Sequence, residues 1–415
     1  MFEAHLNQRE RQIEWPLWLA IALLMAIGVA FIYSATSVYD TMGIWQRFRR
    51  GSLTSFLSWL VHQSYSKQVL AYLLGIGAAA VFSLIDYGRL ARWSLVLYWL
   101  SIVLLVAVLS PHIGTEYYGA RRWFDLGFYD FQPSEFAKLA FLLAMANFLS
   151  RPEDELRAPS IFFKGLGMML LPFLLIVKEP DLGSAIVILP SGLVMMFVAG
   201  VPPAFLKRLM GTGIVLVGLI LVDVLFAPPG WRIPMEEYQR ERLLVYFGKD
   251  FAPRNATAAE RQRARERQLS KTYNVEQALI SVGSGGLTGK GWRQGTQNTL
   301  GYLPRGVAHN DFIFSVIAEE KGFLGSATLI VLYTVILFTG IKIAGQARDR
   351  LGKLLAIGIV TMLFSHVFIN IGMNIRIMPV TGIPLPLLSY GGTSVLCSLV
   401  AAGILQSIYI YRRSY

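Results

Sequence analysis

Apolar runs separated by short polar or basic clusters alternate along almost the whole chain of 415 residues. A bilayer's hydrocarbon core of about 30 Å takes roughly 20 helical residues to cross. Runs at 15–35, 69–86, 93–109, 184–199, 209–226, 312–341, 354–371 and 389–411 approach or meet that length. Two weaker runs, 136–149 (short) and 161–177 (interrupted by Pro172), bring the expected total to ten. The pattern therefore predicts an all-α polytopic membrane protein, with 1–415 forming a single integral membrane domain.

Short basic loops orient such a protein, because cytoplasmic connections collect Lys and Arg. With the N-terminus inside, the inner connections carry Arg89 and Arg92, Lys207 and Arg208, Arg348 and Arg350, and finally Arg412 and Arg413. Both termini then fall on the cytoplasmic side. The long segment 227–311, between the seventh and eighth expected spans, becomes an extracytoplasmic loop. The first fourteen residues are polar and include acids, so the first apolar run reads as a retained helix rather than a cleaved signal.

Composition strengthens this reading. The chain is 54% hydrophobic and 15% charged, against about 25% charged in soluble domains. Its net charge of +12 sits mostly at the edges of apolar runs, which suits membrane flanks and not a nucleic-acid partner. Cys397 is the single cysteine, so an intrachain disulfide or multi-thiolate metal site is excluded, and the five histidines form no HExxH pairing.

The loop 227–311 is not uniform. Its middle, around 254–270, is polar and rich in Ala, Arg and Glu, and reads as a solvated helix or a contact for a partner or anionic headgroups. Its second half holds VEQALISV, a short amphipathic helix, and then a cluster of glycines in GSGGLTGKGW. A phosphate loop is a poor match: Ser284 stands where the first glycine belongs, and Gly291 follows Lys290. Asp311 lies where polar sequence gives way to an apolar run, so it is either a helix N-cap or a functional carboxylate. Glu319 and Glu320 follow within that run, with Lys321 available to neutralise one of them.

Other charges interrupt apolar sequence, where they are costly unless paired or facing water. Glu135 and Lys138 share one helix face and either satisfy each other or hold a polar cavity. Lys178, Glu179 and Asp181, in KEPDLGS, form a turn that is solvated or binds a headgroup. Arg121, Arg122 and Trp123 anchor a membrane boundary or meet anionic headgroups. The broken stretch GIPLPLLSYGG, 382–392, cannot be regular helix, so it must be shielded by protein or line a wet cavity. Arg376, Ser389 and Tyr390 can face that cavity.

Together these motifs resemble the SEDS proteins, the shape, elongation, division and sporulation family of bacterial membrane proteins. The matching pieces are RRWFDLG, FQPSEFAK, KEPDLGS, GSGGLTGKGW with GTQ, DFIFSVIAEEKG, NIGM and GIPLPLLSYGG, in order from about Glu14 to Arg412. GTQ at 295–297 leans toward the elongation branch. One departure stands out. Where the family reads LPxxHTDF, this chain reads LPRGVAHNDF, with two residues added before His309 and Asn310 in place of Thr.

The resemblance implies a peptidoglycan glycosyltransferase of the cytoplasmic membrane that polymerises lipid II and works beside a class B penicillin-binding protein transpeptidase and other elongation-complex membrane proteins. It implies Asp311 as the essential carboxylate, and Arg122, Trp123, Glu135, Lys138 and Asp181 as family site positions. Lys178, His309, Ser389 and Tyr390 join them as candidates for substrate contact. A divalent cation, Mg or Mn, is compatible with diphosphate chemistry, and no ligand set for it follows from the sequence. A lipid-linked precursor transporter, or a non-enzymatic scaffold for cell-wall synthases, would present similar spans.

Overall fold

The computed structural model describes residues 13–37, 59, 61–117, 120–127, 130–227, 231, 233, 235–252, 257–303 and 306–413. Most of the polar N-terminus, most of the segment 41–64, Pro304 and Arg305 lie outside the described residues.

The apolar runs fold as helices that pack around one continuous apolar core. In order they are α1 (Trp15–Ser37), α2 (Ser64–Leu84), α3 (Tyr87–Arg92), α4 (Ser94–Val108), α5 (Pro133–Leu149), α6 (Glu153–Leu156), α7 (Pro159–Lys178), α8 (Leu182–Ala199) and α9 (Pro203–Phe226). The loop region contributes α10 (Glu237–Tyr246), α11 (Ala258–Ser284) and α12 (Thr296–Thr299), and α13 (Ile313–Gln346), α14 (Arg350–Asn374) and α15 (Gly392–Ile410) complete the bundle. Among the described residues, eight helices are long and apolar enough to cross a bilayer: α1, α2, α7, α8, α9, α13, α14 and α15. The other two expected spans are shorter: α4 has 15 residues and α5 has 17. Pro172 does not divide α7, which runs unbroken for 20 residues.

Burial separates two kinds of helix. α5, α14 and α15 are enclosed on most faces. Small residues permit the closest approach: a side chain at Gly403 of α15 would meet the carbonyl of Ala79 in α2. Packing of this kind, without water to drive it, is how membrane helices associate. α9 is the opposite case. Only Leu206 and Val224 are buried along its 24 residues, so its apolar surface is left for lipid.

Two features depart from a plain helical bundle. A three-stranded antiparallel sheet, β1 (Thr115–Tyr117), β2 (Ala120–Asp125) and β3 (Asp130–Phe131), precedes α5. It carries the RRW motif on β2, with Trp123 opposite Thr115. In addition, α13 is not one uninterrupted rod. Gly322 adopts φ 63°, ψ −157° and divides the 312–341 run into two helical pieces.

α11 runs continuously through the charged middle of the loop and on through VEQALISV, so the short amphipathic helix is only its C-terminal part. A capping box starts it: Thr257 Oγ1 accepts from Glu260 N, and Thr257 N donates back to the Glu260 carboxylate. Its Arg, Gln, Glu and Ala content favours helix even on exposed faces.

Candidate functional site

The LPRGVAHNDF segment ends against α13, α14 and the broken stretch that precedes α15. α14 holds its backbone. Asn370 Nδ2 and Asn374 Nδ2 donate to the Asp311 carbonyl at 3.1 and 3.2 Å. From the broken stretch, Ser389 Oγ donates to Asn310 O at 2.5 Å, and Tyr390 N donates to His309 O at 2.9 Å. The His309 and Tyr390 rings lie 5.3 Å apart. Ser389 and Tyr390 thus act on the segment chiefly by fixing its path. His309 Nδ1 is buried without a hydrogen-bond partner among the described residues, and burial lowers the ring's pKa to about 4, so the imidazole is neutral at pH 7.

The Asp311 carboxylate is left open. α13 begins at Ile313 with Phe312 as its N-cap and no side-chain cap, so capping does not account for Asp311. Among the described residues no hydrogen bond reaches its carboxylate. Oδ2 lies 3.5 Å from where a Cβ on Gly382 would stand, and Gly382 has φ +77°. The side chain is half-buried. Burial is the main influence on its acidity and, with Asp181, pushes the pKa up to about 6, against the pull of Arg242 and Arg122.

The two arginines come from different parts of the chain. Arg122, on β2, donates Nε to Glu179 O at 3.0 Å and Nη2 to Pro180 O. Its guanidinium lies 6.0 Å from the Trp123 ring. Arg242, on α10, donates Nη1 to Thr381 O at 3.1 Å and lies 5.6 Å from the Tyr238 ring. Nothing in the sequence pattern separates Arg242 from the other arginines of a basic loop; its partner carbonyl lies 139 residues away.

The KEPDLGS turn divides its charges by environment. Asp181 caps α8: Oδ1 accepts from Ser184 N at 3.1 Å, while Oδ2 accepts from Gln132 Nε2 at 3.0 Å. Glu179 is fully buried, with neither carboxylate oxygen partnered among the described residues. Burial and then Asp181 push its pKa up to about 9 despite Arg122, so it is neutral at pH 7. Lys178, the last residue of α7, is exposed.

Glu135 and Lys138 form a separate buried group. Lys138 Nζ lies 2.6 Å from Glu135 Oε1 and 2.8 Å from His366 Nε2, and both charged side chains are almost fully enclosed. No hydrogen bond or ion pair among the described residues links them to Asp311.

Glu319 and Glu320 are structural as well, and among the described residues neither forms a hydrogen bond or ion pair with Lys321. Glu319 Oε1 accepts from Lys290 Nζ at 2.6 Å and from Gln297 N at 3.0 Å. Glu320 accepts from Ser34 Oγ at 2.6 Å and Arg293 N at 2.9 Å. The glycine cluster of the loop wraps the break at Gly322, where Phe323 N and Leu324 N, freed from helical partners, donate to Gly286 O and Leu287 O. The glycines of GSGGLTGKGW therefore serve a backbone clasp.

The FtsW/RodA/SpoVE cell cycle protein model matches residues 14–414. The chain belongs to that family. The peptidoglycan glycosyltransferase MrdB of Escherichia coli K12 is 39% identical over 323 residues, 77% of this chain and 79% of that protein. Stage V sporulation protein E of Bacillus subtilis is 34% identical and covers 94% of this chain and 95% of its own length. Among solved structures, one from a study of a peptidoglycan synthase complex coordinating polymerization and crosslinking superposes with TM-score 0.73 at 26% identity, covering 97% of this chain and 99% of that one. The rod shape determining protein RodA of Thermus thermophilus superposes with TM-score 0.61 at 26% identity, covering 97% and 98%. Like its FtsW/RodA/SpoVE relatives, the chain is a multi-pass protein of the bacterial inner membrane.

Proposed function

We propose that the protein is a peptidoglycan glycosyltransferase that polymerises lipid II into β-1,4-linked glycan strands. The observation that carries this reading is the Asp311 carboxylate, held through its backbone, without a hydrogen bond to its oxygens among the described residues, and with the charges of Arg242 and Arg122 acting to lower its pKa. The relatives named as peptidoglycan glycosyltransferases supply the substrate class.

Polymerisation joins the C4 hydroxyl of an acceptor sugar to the anomeric carbon of a donor carried on undecaprenyl diphosphate. The new C4–O–C1 bond forms as the C1–O–phosphate bond breaks. The electron pair of the broken bond leaves on the diphosphate, and the hydroxyl proton goes to Asp311 Oδ. With a pKa near 6, Asp311 is ionised at neutral pH yet is a better base than an ordinary carboxylate. A retaining double displacement would need a second carboxylate as nucleophile. Asp181 is committed to its cap and Glu179 is neutral, so a single displacement with inversion fits these residues. Arg122 is suited to the departing negative charge. Lys138 would have to leave Glu135 and His366 to take part, and Lys178 is free to reach a headgroup at the end of α7.

The residues around Asp311 do not form a metal centre of their own. No group of three or more His, Cys, Asp or Glu suited to a cation occurs among the described residues, and no step here runs through a metal. A Mg or Mn ion carried in on the diphosphate is the form in which a divalent cation suits this site. For topology, α4 and α5 are read as crossings too, ten in all, which puts β1–β3 on the same outer side as 227–311 and keeps both termini cytoplasmic, within one integral membrane domain. A class B penicillin-binding protein is the proposed partner, in line with the synthase-complex relative.

The test is glycan-strand formation from purified lipid II by wild-type protein and by Asp311→Asn. The substitution should abolish polymer while leaving the protein folded. Polymer at the wild-type rate would remove Asp311 from the reaction.

A further inference from the structure

α14 carries three buried polar residues spaced four apart, His366, Asn370 and Asn374, and that spacing puts them on one face of the helix. The outer two serve the Asp311 segment. Both donate to the Asp311 carbonyl; Asn370 also donates to Ile383 O at 2.7 Å, and Asn374 Oδ1 accepts from Ser315 Oγ at 2.6 Å. His366, one turn deeper, meets a different helix: its Nε2 lies 2.8 Å from Lys138 Nζ of α5. An ammonium can only donate, so Nε2 accepts and the ring carries its hydrogen on Nδ1. That Nδ1 is buried and has no hydrogen-bond partner among the described residues. A buried N–H left unpaired costs stability, and Lys138 does not need the ring to balance its charge, because Glu135 Oε1 stands 2.6 Å away. What the contact supplies is register, the best-attested use of a buried polar pair.

α14 has few other means of fixing its register near the site. Its inner end is tied by Tyr87 to Asp349 and by Arg350 to Ala199 O and Glu153. Between there and Asn370, the hydroxyls of Thr361 and Ser365 turn back on the helix's own carbonyls. Over that stretch, the Lys138–His366 bond is the one hydrogen bond to another element among the described residues. The rest is apolar contact, as at Gly358, where an added Cβ would meet Met195 of α8 and Leu142 of α5. At 1.5 Å per residue, Arg350 is about 24 Å from His366 along the axis, and Asn370 only about 6 Å. α5 is in turn fixed to the far side of the site, since its N-cap Gln132 donates Nε2 to Asp181 Oδ2 at 3.0 Å.

We propose that His366 is a positioning residue for glycosyl transfer: by accepting from Lys138 it sets the register of α14 against α5, and with it the place of Asp311 relative to the KEPDLGS turn. This rests on Asp311 as the base in the reaction read above. His366 touches neither substrate nor the reacting atoms. It acts through Asn370 and Asn374, which share its helix face and hold the Asp311 main chain.

The assay is lipid II polymerisation by full-length protein in nanodiscs, with kcat and KM measured separately. His366→Met fills the space, offers Lys138 no nitrogen or oxygen acceptor and leaves it paired with Glu135, so the variant should melt close to wild type. Its KM should stay within about twofold while kcat falls about tenfold or more, the split expected when a reacting group is misplaced. His366→Gln restores an acceptor, its amide oxygen, and should regain most of the lost rate. A His366→Met kcat within about twofold of wild type overturns the proposal. So does a KM that rises as far as kcat falls, or a His366→Gln variant no faster than His366→Met. Wild-type protein carrying isotope-labelled histidine gives a readout that needs no variant to fold. Magnetic resonance should show the His366 ring in contact with Lys138, with hydrogen on Nδ1 and none on Nε2; hydrogen on Nε2, or no such contact, also overturns it. If wild type makes glycan while any overturning result holds, only the role of His366 falls. If wild type makes none, the glycosyltransferase reading falls and takes this role with it.

Discussion

Replacing Asp311 with Asn should make the protein more stable as it makes it inactive, and the size of the gain follows from the site. Burial raises the Asp311 pKa from 3.8 to about 6. At about 1.36 kcal/mol per pKa unit, holding the ionised form costs the fold about 3 kcal/mol near neutral pH. The sign is fixed by linkage. Between pH 3.8 and about 6 the folded protein holds a proton that the unfolded chain releases, so wild-type stability rises as pH falls through that window and is lowest above it. Asn carries no charge to bury. The variant should therefore exceed wild type by up to about 3 kcal/mol above pH 6, and the advantage should vanish below pH 4. Activity should run the other way in wild type, falling as pH drops below about 6 and the base is protonated. The assay is thermal unfolding of both proteins in the same detergent from pH 4 to 8, alongside polymer formation from lipid II. An Asn variant that melts below wild type at pH 7.5 would refute the reasoning, because the carboxylate would then be holding the fold together.

Three other perturbations address the surrounding architecture. Gly289→Ala should loosen the clasp on α13: Gly289 has φ +82°, its Cβ would stand 2.2 Å from Glu320 O, and a left-handed conformation alone costs about 1–2 kcal/mol. A melting temperature equal to wild type would count against the clasp. Lys138→Met should destabilise by roughly 3–5 kcal/mol by stranding the buried Glu135 charge, and adding Glu135→Gln should restore much of the loss. If Lys138→Met melts normally but binds lipid II poorly, Lys138 serves the substrate and not the fold. Chelation should leave the melting temperature of substrate-free protein unchanged and remove no stoichiometric metal. A drop of more than about 5 °C, corresponding to ~4 kcal/mol in a protein of this size, would reveal a resident cation.

The helical framework was legible because apolar runs of about 20 residues have few alternatives in a chain this hydrophobic. α1, α14 and α15 fall close to where periodicity and length put them. What periodicity could not reveal is where a helix is interrupted without losing its apolar character. The 312–341 run reads as one span, yet Gly322 divides it, because its freed backbone donors find carbonyls in a glycine cluster lying far back in sequence. The same limit applies to charges. Glu319 is two residues from Lys321 but pairs with Lys290, a choice made by loop packing and not by helix spacing. By contrast, Glu135 and Lys138 pair at i, i+3, a local relation that sequence does encode. The sheet carrying Arg122 was not legible, since its three strands have at most six residues each. Arg242 was hidden for another reason: it stands among many arginines, and only its remote carbonyl partner distinguishes it.

These local and remote contacts meet at Asp311 in a particular division of labour. Preorganised sites need a fixed reacting group whose polar atoms remain available. Here the fixing is done through the main chain. Asn370 and Asn374 take the Asp311 carbonyl, Ser389 takes the Asn310 carbonyl, and Tyr390 N takes that of His309. Three successive carbonyls are held by two separate elements, so the carboxylate can stay uncommitted without its position drifting. The 227–311 loop is attached at both ends by the same device. Arg242 and Tyr246 of α10 bond to the carbonyls of Thr381 and Ile377, while the glycine cluster bonds to α13 around Gly322. The two residues added before His309 therefore enter a segment whose far end is already anchored. The register of His309, Asn310 and Asp311 against α14 and the broken stretch is set by those bonds, downstream of the added residues.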